Sequence, residues 1–255
     1  MTQQDEFTRP GDGEFDDVAD HYDHLMSDVP YHRWVDYVEL LLQRWEHEPQ
    51  TVLDLACGTG KVGSEFRKRG YSAMGVDLSE PMVRHCRTQD PPLPALVADA
   101  SALGIADQQF NLVASLYDSL NYILEPKALA EAIAEAYRVL ERGGLFIFDM
   151  NTTRALSAGL FNQSNLDSNA PLRYSWEAHW DKRTRICRVD MIYYWDGDDG
   201  QKHFRETHYQ RAYEKEEVLT MLDMAGFSDY EALTGYTFHP LTSSADRAYY
   251  VAYKE

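Results

Sequence analysis

The chain has 255 residues, 44% of them hydrophobic, and a formal net charge of −18 at pH 7. This length is enough for one domain with an insertion or a small lid. The negative charge argues against a nucleic acid as partner, because a protein that binds phosphates needs a basic surface to release their counterions. A membrane helix needs roughly 18 apolar residues in a row, and no run in the sequence approaches that length.

The N-terminus and the cysteines bear on where the protein works. The first residues are acidic and polar, unlike a secretory signal. The three cysteines, Cys57, Cys86 and Cys187, form no close-spaced pair for a metal or for redox chemistry. The histidines within residues 21–32 are too loosely spaced for a metal site. We therefore expect a cytoplasmic protein with no bound metal and no contact with a membrane.

The predicted elements divide the chain into five segments. Residues 1–14 are predicted to form a disordered tail, and residues 15–48 form two amphipathic helices that cover the edge of a sheet. Strands and helices alternate over residues 49–151, which is typical of a doubly wound, mainly parallel sheet in an α/β protein. Residues 152–213 combine a polar loop with an antiparallel β insertion rich in Tyr, Trp and His, which we interpret as a lid over the acceptor. Residues 214–255 return to the core sheet.

Three local patterns lead to more specific predictions. A helix over 126–141 is predicted to end before Gly143-Gly144, and a strand over 145–149 follows. Residues 152–171 are predicted to be a loop because they are rich in Ser, Asn, Thr and Gly. The run Asp196-Gly-Asp-Asp-Gly200 is interpreted as a hairpin turn, because it lacks the spacing and the terminal Glu of a calcium-binding loop.

The most informative stretch is the loop TVLDLACGTGKVG over residues 51–63. A short apolar strand leads into a glycine-rich turn and then into a helix, whose N-terminal N–H groups favour negative charge. Gly58, Gly60 and Gly63 also fit the dinucleotide pattern G-x-G-x-x-G, so the loop alone does not select the ligand.

Two acidic residues narrow the choice of ligand for the glycine loop. Asp54 lies near the end of the strand, where its carboxylate would be repelled by a pyrophosphate and attracted by an ammonium group. Asp77 follows about 20 residues further on, at the place of an acid that binds ribose hydroxyls. S-adenosylmethionine carries both an ammonium group and a carboxylate, which match Asp54 and the helix N-terminus respectively.

Five segments, VLDLACGTG, GVDLSEPM, VADA, FNLVASLYDSLNYI and LERGGLFIFDMN, occur in this order. Together they resemble the class I S-adenosylmethionine-dependent methyltransferases, over roughly residues 15–255. The resemblance implies a Rossmann-like sheet of seven strands, ribose binding by Asp77, and adenine binding by Asp99 and Met82. The cofactor-binding residues expected on these grounds are Tyr22, Arg33, Trp34, Asp54, Ala56, Gly58, Gly60, Asp77, Leu78, Met82, Asp99, Ala100 and Leu116.

The acceptor site is expected beside the end of the fourth strand. In-line methyl transfer from a sulfonium mainly requires alignment of the acceptor and exclusion of water, so a strong base is not essential. In the methyltransferases that the chain resembles, residues just past this strand border the methyl group, which indicates Tyr117 and Asn121. With His208 from the lid, these are the candidate catalytic residues. His203 and Tyr236 are further candidate contacts of the acceptor.

We therefore expect a methyltransferase that moves a methyl group to an N or O atom of a small-molecule acceptor and releases S-adenosylhomocysteine. The DNA and protein amide methyltransferases carry Asn/Asp-Pro-Pro-Tyr where this chain has Leu-Tyr-Asp-Ser, so base and amide methylation are not expected. Two alternatives stay open: an NAD-dependent oxidoreductase, which the glycine loop alone would explain, and a non-catalytic protein that binds S-adenosylmethionine.

Overall fold

The structure, a computed structural model, describes residue 15, residues 18–197 and residues 200–255. The predicted disordered tail over residues 1–14 lies outside the described residues. The strands, in chain order, are β1 (Thr51–Leu55), β2 (Ser72–Asp77), β3 (Ala95–Val97), β4 (Phe110–Ser115), β5 (Leu140–Asn151), β6 (Gln163–Ser164), β7 (Leu172–Asp181), β8 (Ile186–Gly197), β9 (Gly200–Arg211), β10 (Asp229–Thr234) and β11 (Arg247–Tyr253). The helices are α1 (Ala19–Leu25), α2 (Tyr31–Arg44), α3 (Lys61–Lys68), α4 (Glu80–Cys86), α5 (Pro126–Val139), α6 (Thr153–Ser157) and α7 (Lys215–Ala225).

The central sheet has seven strands in the order β10-β11-β5-β4-β1-β2-β3. β1 to β5 pair in parallel, whereas β11 runs antiparallel to both of its neighbours, β5 and β10. The strand order changes direction between β1 and β4, and sheets of this kind bind ligands outside the carboxyl ends of the strands at that point. This architecture confirms the predicted doubly wound, mainly parallel, Rossmann-like sheet.

Helices cover both faces of the central sheet. α5 and α7 contribute to one hydrophobic cluster, and α2 and α3 contribute to the cluster on the other face. In α2 the side chains of Val35, Val38 and Leu41 are fully buried, because their spacing places them on one side of the helix. The strands between the two helical layers are apolar because both of their faces are covered.

The fifth strand is longer than the sequence pattern predicts. β5 begins at Leu140 directly after α5, so Gly143-Gly144 lies inside the strand and not before it. The register against β4 shifts between Phe110 and Leu112, and Gly143 has a φ of 84°. The glycine pair therefore forms an irregularity within a strand, where only glycine adopts such a φ without strain.

The polar segment 152–171 is also more ordered than predicted. Thr152 accepts a hydrogen bond at Oγ1 from the N–H of Ala155 and so caps the short helix α6. Gln163 and Ser164 form β6, which pairs with β7. The prediction of a loop was wrong for these two stretches, because a Thr cap and an edge strand both have the polar composition of a loop.

A second, antiparallel sheet has the strand order β6-β7-β8-β9. Its buried side chains, among them Val189, Met191 and Tyr193, pack with Val18, Ala19 and Met82, so this sheet lies against α1 and α4. Gly197 pairs with Gly200 across the hairpin, and the two residues between them lie outside the described residues. Through the described parts of the chain, we find no helix with the length and apolarity to cross a bilayer.

Candidate active site

A cavity of about 820 Å³ lies between the carboxyl ends of the parallel strands and the second sheet. Small-molecule sites typically measure roughly 300–1,000 Å³. One end of the cavity is lined by the glycine loop and by the residues that follow β2 and β3, and the other end by the inner face of the antiparallel sheet. The candidate residues that line the cavity are Tyr22, Trp34, Asp54, Ala56, Gly58, Asp77, Leu78, Met82, Asp99, Ala100, Leu116, Tyr117 and His208.

The glycine loop turns sharply just before the N-terminus of α3. Ala56 and Gly58 have φ values of 59° and 53°, in the left-handed region. A Cβ built on Gly58 would meet no atom within 4 Å, so the backbone there faces open space of the cavity. A Cβ on Gly60 would lie 2.9 Å from Sγ of Cys86. Gly60 does not line the cavity, and its role is to let α4 pack closely on the loop, which corrects its assignment to the cofactor.

Asp54 lies buried beneath the loop. Its Oδ2 accepts a hydrogen bond of 2.7 Å from the N–H of Gly63, which anchors the first turn of α3. The pKa of Asp54 is raised to about 7, chiefly by burial; the N–H of Gly63 opposes this shift, and the nearby carboxylate of Asp77 adds to it. Asp54 is therefore a carboxyl group that titrates close to neutral pH at the edge of the cavity.

Asp77 connects two turns at the end of β2. Its Oδ2 accepts from the N–H of Gly58 at 2.7 Å, and its Oδ1 accepts from the N–H of Ser79 at 2.9 Å. Burial raises the pKa of Asp77, and these N–H groups oppose the shift. Beside it, the side chain of Leu78 is 65% exposed and lines the cavity. An apolar side chain next to a fixed carboxylate suits the base and the ribose of a nucleoside.

Asp99 follows β3 on the same rim of the cavity. Its Oδ1 accepts from the N–H and from the hydroxyl of Ser101, both at 2.7 Å. The side chain is exposed, and its neighbour Ala100 also lines the cavity. Deeper in the wall, Met82 and Leu116 are buried, so this end of the cavity combines apolar surface with carboxylates at its rim.

The N-terminal helices close over the glycine loop. Asp23 of α1 accepts from the hydroxyl of Thr59 and forms an ion pair with Nζ of Lys61, both at 2.8 Å. On α2, Trp34 faces the cavity, whereas Arg33 is exposed and does not line it. Consecutive residues of a helix point about 100° apart, and here this rotation leaves the Arg33 side chain outside the cavity that Trp34 lines. The structure thus corrects the assignment of Arg33 to the cofactor.

A strained turn at the end of β4 positions Tyr117. Tyr117 and Asp118 both have positive φ, 68° and 54°, which non-glycine residues adopt at a cost of roughly 1–3 kcal/mol. Their N–H groups donate to the carboxylate of Asp149 at 2.6 and 3.2 Å, and this carboxylate holds the turn. The Tyr117 ring stacks on Trp34 with 4.7 Å between ring centroids.

Arg247 ties the same turn to β11. Its guanidinium contacts the carboxylates of Asp149 and Asp118, the latter at 2.8 Å. Gln210 of β9 donates to the other oxygen of Asp118 at 2.7 Å. The turn at Tyr117 is thereby fixed from three strands. Sequence reasoning missed Arg247 and Gln210, since neither belongs to a motif.

Asn121 is structural, which corrects its assignment as a catalytic residue. It is fully buried and does not line the cavity. Its Nδ2 donates to the carbonyls of Asn151 and Arg211 at 3.1 and 2.8 Å, and its Oδ1 accepts from the N–H of Asn151 at 2.8 Å. These bonds tie the 3₁₀ turn Ser119–Tyr122 to β5 and β9, and they engage the amide with the backbone.

His208 lies in the cavity wall on the inner face of β9. Its Nε2 is 2.7 Å from Oε2 of Glu206, and its Nδ1 is 3.3 Å from the hydroxyl of Tyr122. Sequence reasoning missed both partners. The period-two pattern of a strand places Glu206 and His208 on one face, and that signal could have found Glu206.

The two other candidate contacts lie outside the cavity. His203 is exposed, and strand alternation places it on the opposite face of β9 from His208. Tyr236 is 48% exposed and does not line the cavity; its ring packs near Tyr37 and Tyr249. We therefore correct both assignments.

A doubly wound sheet with a glycine loop and carboxylates at the ends of its strands defines an α/β protein of the nucleoside-cofactor-binding class. Residues 52–144 match a family described as a methyltransferase domain. YqeM of Bacillus subtilis, which is named as a methyltransferase, is 29% identical over 240 residues, covering 92% of this chain and 95% of YqeM.

Two solved structures share the fold. A S-adenosylmethionine-dependent methyltransferase from Clostridium acetobutylicum has a TM-score of 0.79 and 26% identity, over 94% of this chain and 98% of that chain. The sugar N-methyltransferase KedS8 from Streptoalloteichus has a TM-score of 0.76 and 20% identity, over 93% of both chains. The chain is a class I S-adenosylmethionine-dependent methyltransferase.

Proposed function

We propose that this methyltransferase transfers the methyl group to an N or O atom of a small molecule that binds beneath the antiparallel sheet. The observation that carries the proposal is the continuity of the cavity, which runs from the glycine loop to Trp176, Tyr193 and His208 on the second sheet. A cavity with two chemically different ends suits two small molecules side by side. Enclosure by protein also excludes water from the reacting atoms.

The cofactor end fits S-adenosylmethionine, which supplies a methyl group on a sulfonium when bound. The open space above Gly58 and the start of α3 would hold its methionine end, with Asp54 near the ammonium group. Asp77 would bind the ribose, as its place at the end of β2 suggests. Leu78 and Met82 would pack on the adenine, and Asp99 would accept from its amine.

The charges of the lining residues favour a neutral or cationic acceptor. The acidic lining residues are Asp54, Asp77, Glu80, Asp99, Asp118 and Asp246. The basic ones, Lys61, Arg84 and Arg247, each form an ion pair with a carboxylate. A cavity with excess negative charge attracts cations and repels nucleic acids and other anions. Since the neighbour KedS8 is named as a sugar N-methyltransferase, amino sugars are the first acceptors to test.

Calorimetric titration with S-adenosylmethionine tests the cofactor end. We expect micromolar binding, a loss of roughly 100-fold in Asp77→Ala, because hydrogen bonds to a buried carboxylate are lost, and no change in the control Asp223→Ala, an exposed acid on α7. NAD should give no signal. Binding of NAD without binding of S-adenosylmethionine would contradict the proposal.

Release of S-adenosylhomocysteine tests the acceptor end. The panel should pair amino sugars with the corresponding hydroxyl sugars, so that N- and O-methylation are compared on one scaffold. We expect turnover with a member of this panel and none with RNA or DNA. Turnover with a nucleic acid alone would overturn the assignment of a small-molecule acceptor.

A further inference from the structure

Three polar side chains from two distant segments form one hydrogen-bonded chain in the cavity wall. Glu206 and His208 are on β9, and Tyr122 ends the 3₁₀ turn that follows β4. We propose that this chain, Tyr122–His208–Glu206, takes up the proton that the acceptor loses on methylation. The proposal rests on the proposed function and assigns Tyr122 as the catalytic residue that touches the acceptor, with Glu206 as a positioning residue.

The hydrogen-bond partners of His208 favour one tautomer of the ring. An ionised carboxylate only accepts hydrogen bonds, so Glu206, at 2.7 Å, keeps the proton on Nε2. In this tautomer Nδ1 carries the lone pair and lies 3.3 Å from the Tyr122 hydroxyl, a distance at which the hydroxyl can donate to it. The direction of transfer, from Tyr122 to His208, follows from this arrangement.

Glu206 is itself held in place by the main chain. Its Oε1 accepts from the N–H of Val18 at 2.8 Å, while its Oε2 faces His208. Both oxygens are thus engaged, and the carboxylate cannot rotate away without losing a buried bond. A carboxylate fixed beside an imidazole stabilises the imidazolium that forms when the ring accepts a proton.

The Phe15 ring packs against this hydrogen-bonded chain. The Phe15 ring lies 4.4 Å from the His208 imidazole and 5.1 Å from the Tyr122 ring, measured between centroids. His208 and Glu206 are 2% and 8% exposed. Burying an ionisable pair is expensive for stability.

The hydrogen-bonded chain Tyr122–His208–Glu206 also lies close to the expected position of the methyl group. Gln210, two residues after His208 on the same face of β9, bonds to Asp118 in the turn that carries Tyr117. Tyr122 and His208 both line the cavity on this side. The acceptor would therefore lie between the end of β4 and the hydroxyl of Tyr122.

The proton balance of the step is complete. The lone pair of the acceptor N or O atom forms a bond to the methyl carbon, and the C–S bond breaks with its electron pair remaining on sulfur. The acceptor then gives its proton to the Tyr122 oxygen, as the Tyr122 hydroxyl proton passes to Nδ1 of His208. The products are a methylated acceptor, a thioether and an imidazolium beside the Glu206 carboxylate.

The tautomer can be measured without knowing the acceptor. Long-range ¹H–¹⁵N spectra of histidine-labelled protein should show His208, assigned with His208→Gln, protonated at Nε2 and unprotonated at Nδ1. In Tyr122→Phe the Nδ1 resonance should shift, because its donor is gone. A proton on Nδ1 in the wild type would overturn the proposal, since His208 could not then take the proton of Tyr122.

Kinetics with the amino sugar that turns over provides the second readout. Tyr122→Phe and Glu206→Gln should each lower kcat roughly 100-fold, with the calorimetric affinity for S-adenosylmethionine unchanged, and Glu206→Asp should restore part of the rate. The control is His179→Gln, which removes an exposed histidine that faces Asp190 on the same sheet at 3.4 Å. Full kcat in Tyr122→Phe and Glu206→Gln would overturn the proposal, whereas a wild type that fails to bind S-adenosylmethionine would overturn the proposed function instead.

Discussion

The two ends of the cavity hold their polar groups by different means. At the cofactor end, carboxylates accept hydrogen bonds from nearby main-chain N–H groups: Asp54 from Gly63, nine residues away, and Asp77 from Gly58, nineteen residues away. At the acceptor end, polar side chains are held over longer separations, both by other side chains and by main-chain groups of distant elements. The bond between Gln210 and Asp118 spans 92 residues.

This difference predicts how each end responds to substitution. A carboxylate that bonds to a main-chain N–H close to it in the sequence depends on local geometry, so its loss should affect the cofactor and little else. A side chain bonded to another element connects parts of the fold, so its loss should affect stability together with the acceptor site. Substitutions at both ends of the cavity test this difference.

Arg247→Ala should have the largest effect, because Arg247 is the cation between two buried carboxylates, Asp118 and Asp149. Removing one partner of a buried ion pair leaves uncompensated charge, and we expect a loss of about 3–5 kcal/mol in the free energy of unfolding. Urea denaturation measures it. The matched control is Arg44→Ala, whose ion pair with Glu231 is more exposed and should be worth less than about 1 kcal/mol. Equal losses of stability in the two variants would contradict the conclusion that Arg247 compensates the charge of two buried carboxylates.

Asn121→Ala should follow, with a loss of about 2–3 kcal/mol, because three hydrogen bonds, two of them buried, disappear and backbone groups of β5 and β9 lose their partners. The affinity for S-adenosylmethionine should stay within about two-fold of the wild type. Denaturation and calorimetry on the same preparation measure both quantities. A variant with full stability and no turnover would return Asn121 to the catalytic site.

The contrast between the two ends also explains what the sequence predicts. The glycine loop, Asp77 and Asp99 follow short apolar strands, and a parallel sheet brings such strand ends to one edge, so local pattern suffices to place them at the cavity. The partners of His208 are different. Tyr122 is 86 residues away, and no local pattern brings it to β9.

Residues next to a motif were misassigned for a related reason. The pattern locates an element but does not say which of two adjacent side chains faces the cavity, as for Arg33 and Trp34 on α2. Asn121 was misread because burial and hydrogen bonding to a distant strand are set by tertiary packing. The sequence pattern predicts a β5 that is too short, because a glycine pair within a strand has the composition of a turn.

A pH dependence of cofactor affinity should come from Asp54. Burial raises its pKa to about 7 in the folded protein, so its contribution to stability is largest below its ordinary pKa and is lost as pH rises through 7. An ammonium group favours the ionised form. Binding of S-adenosylmethionine should therefore release a proton below pH 7, and affinity should rise by roughly ten-fold between about pH 5.5 and 7.5.

Calorimetry at several pH values, in buffers of different ionisation enthalpy, measures both the affinity and the proton release. In Asp54→Asn the slope should flatten, with a residual contribution from Asp77, whose pKa burial also raises. The amide can still accept from the N–H of Gly63, so the start of α3 is preserved. An equally steep slope in the variant would mean that Asp54 does not face the ammonium group.

Asp99→Ala should have the smallest effect, because Asp99 is exposed at the rim of the cavity and its bonded partner, Ser101, is local. We expect affinity for S-adenosylmethionine to fall about five-fold, as for one partly solvated hydrogen bond. The sharper measurement compares this cofactor with its inosine analogue, which lacks the adenine amine. If Asp99 accepts from that amine, the wild type prefers the adenine form and Asp99→Ala does not. A preference that survives in the variant would assign recognition of the amine to the backbone, and the cofactor end would then bind its ligand through the main chain even at its rim.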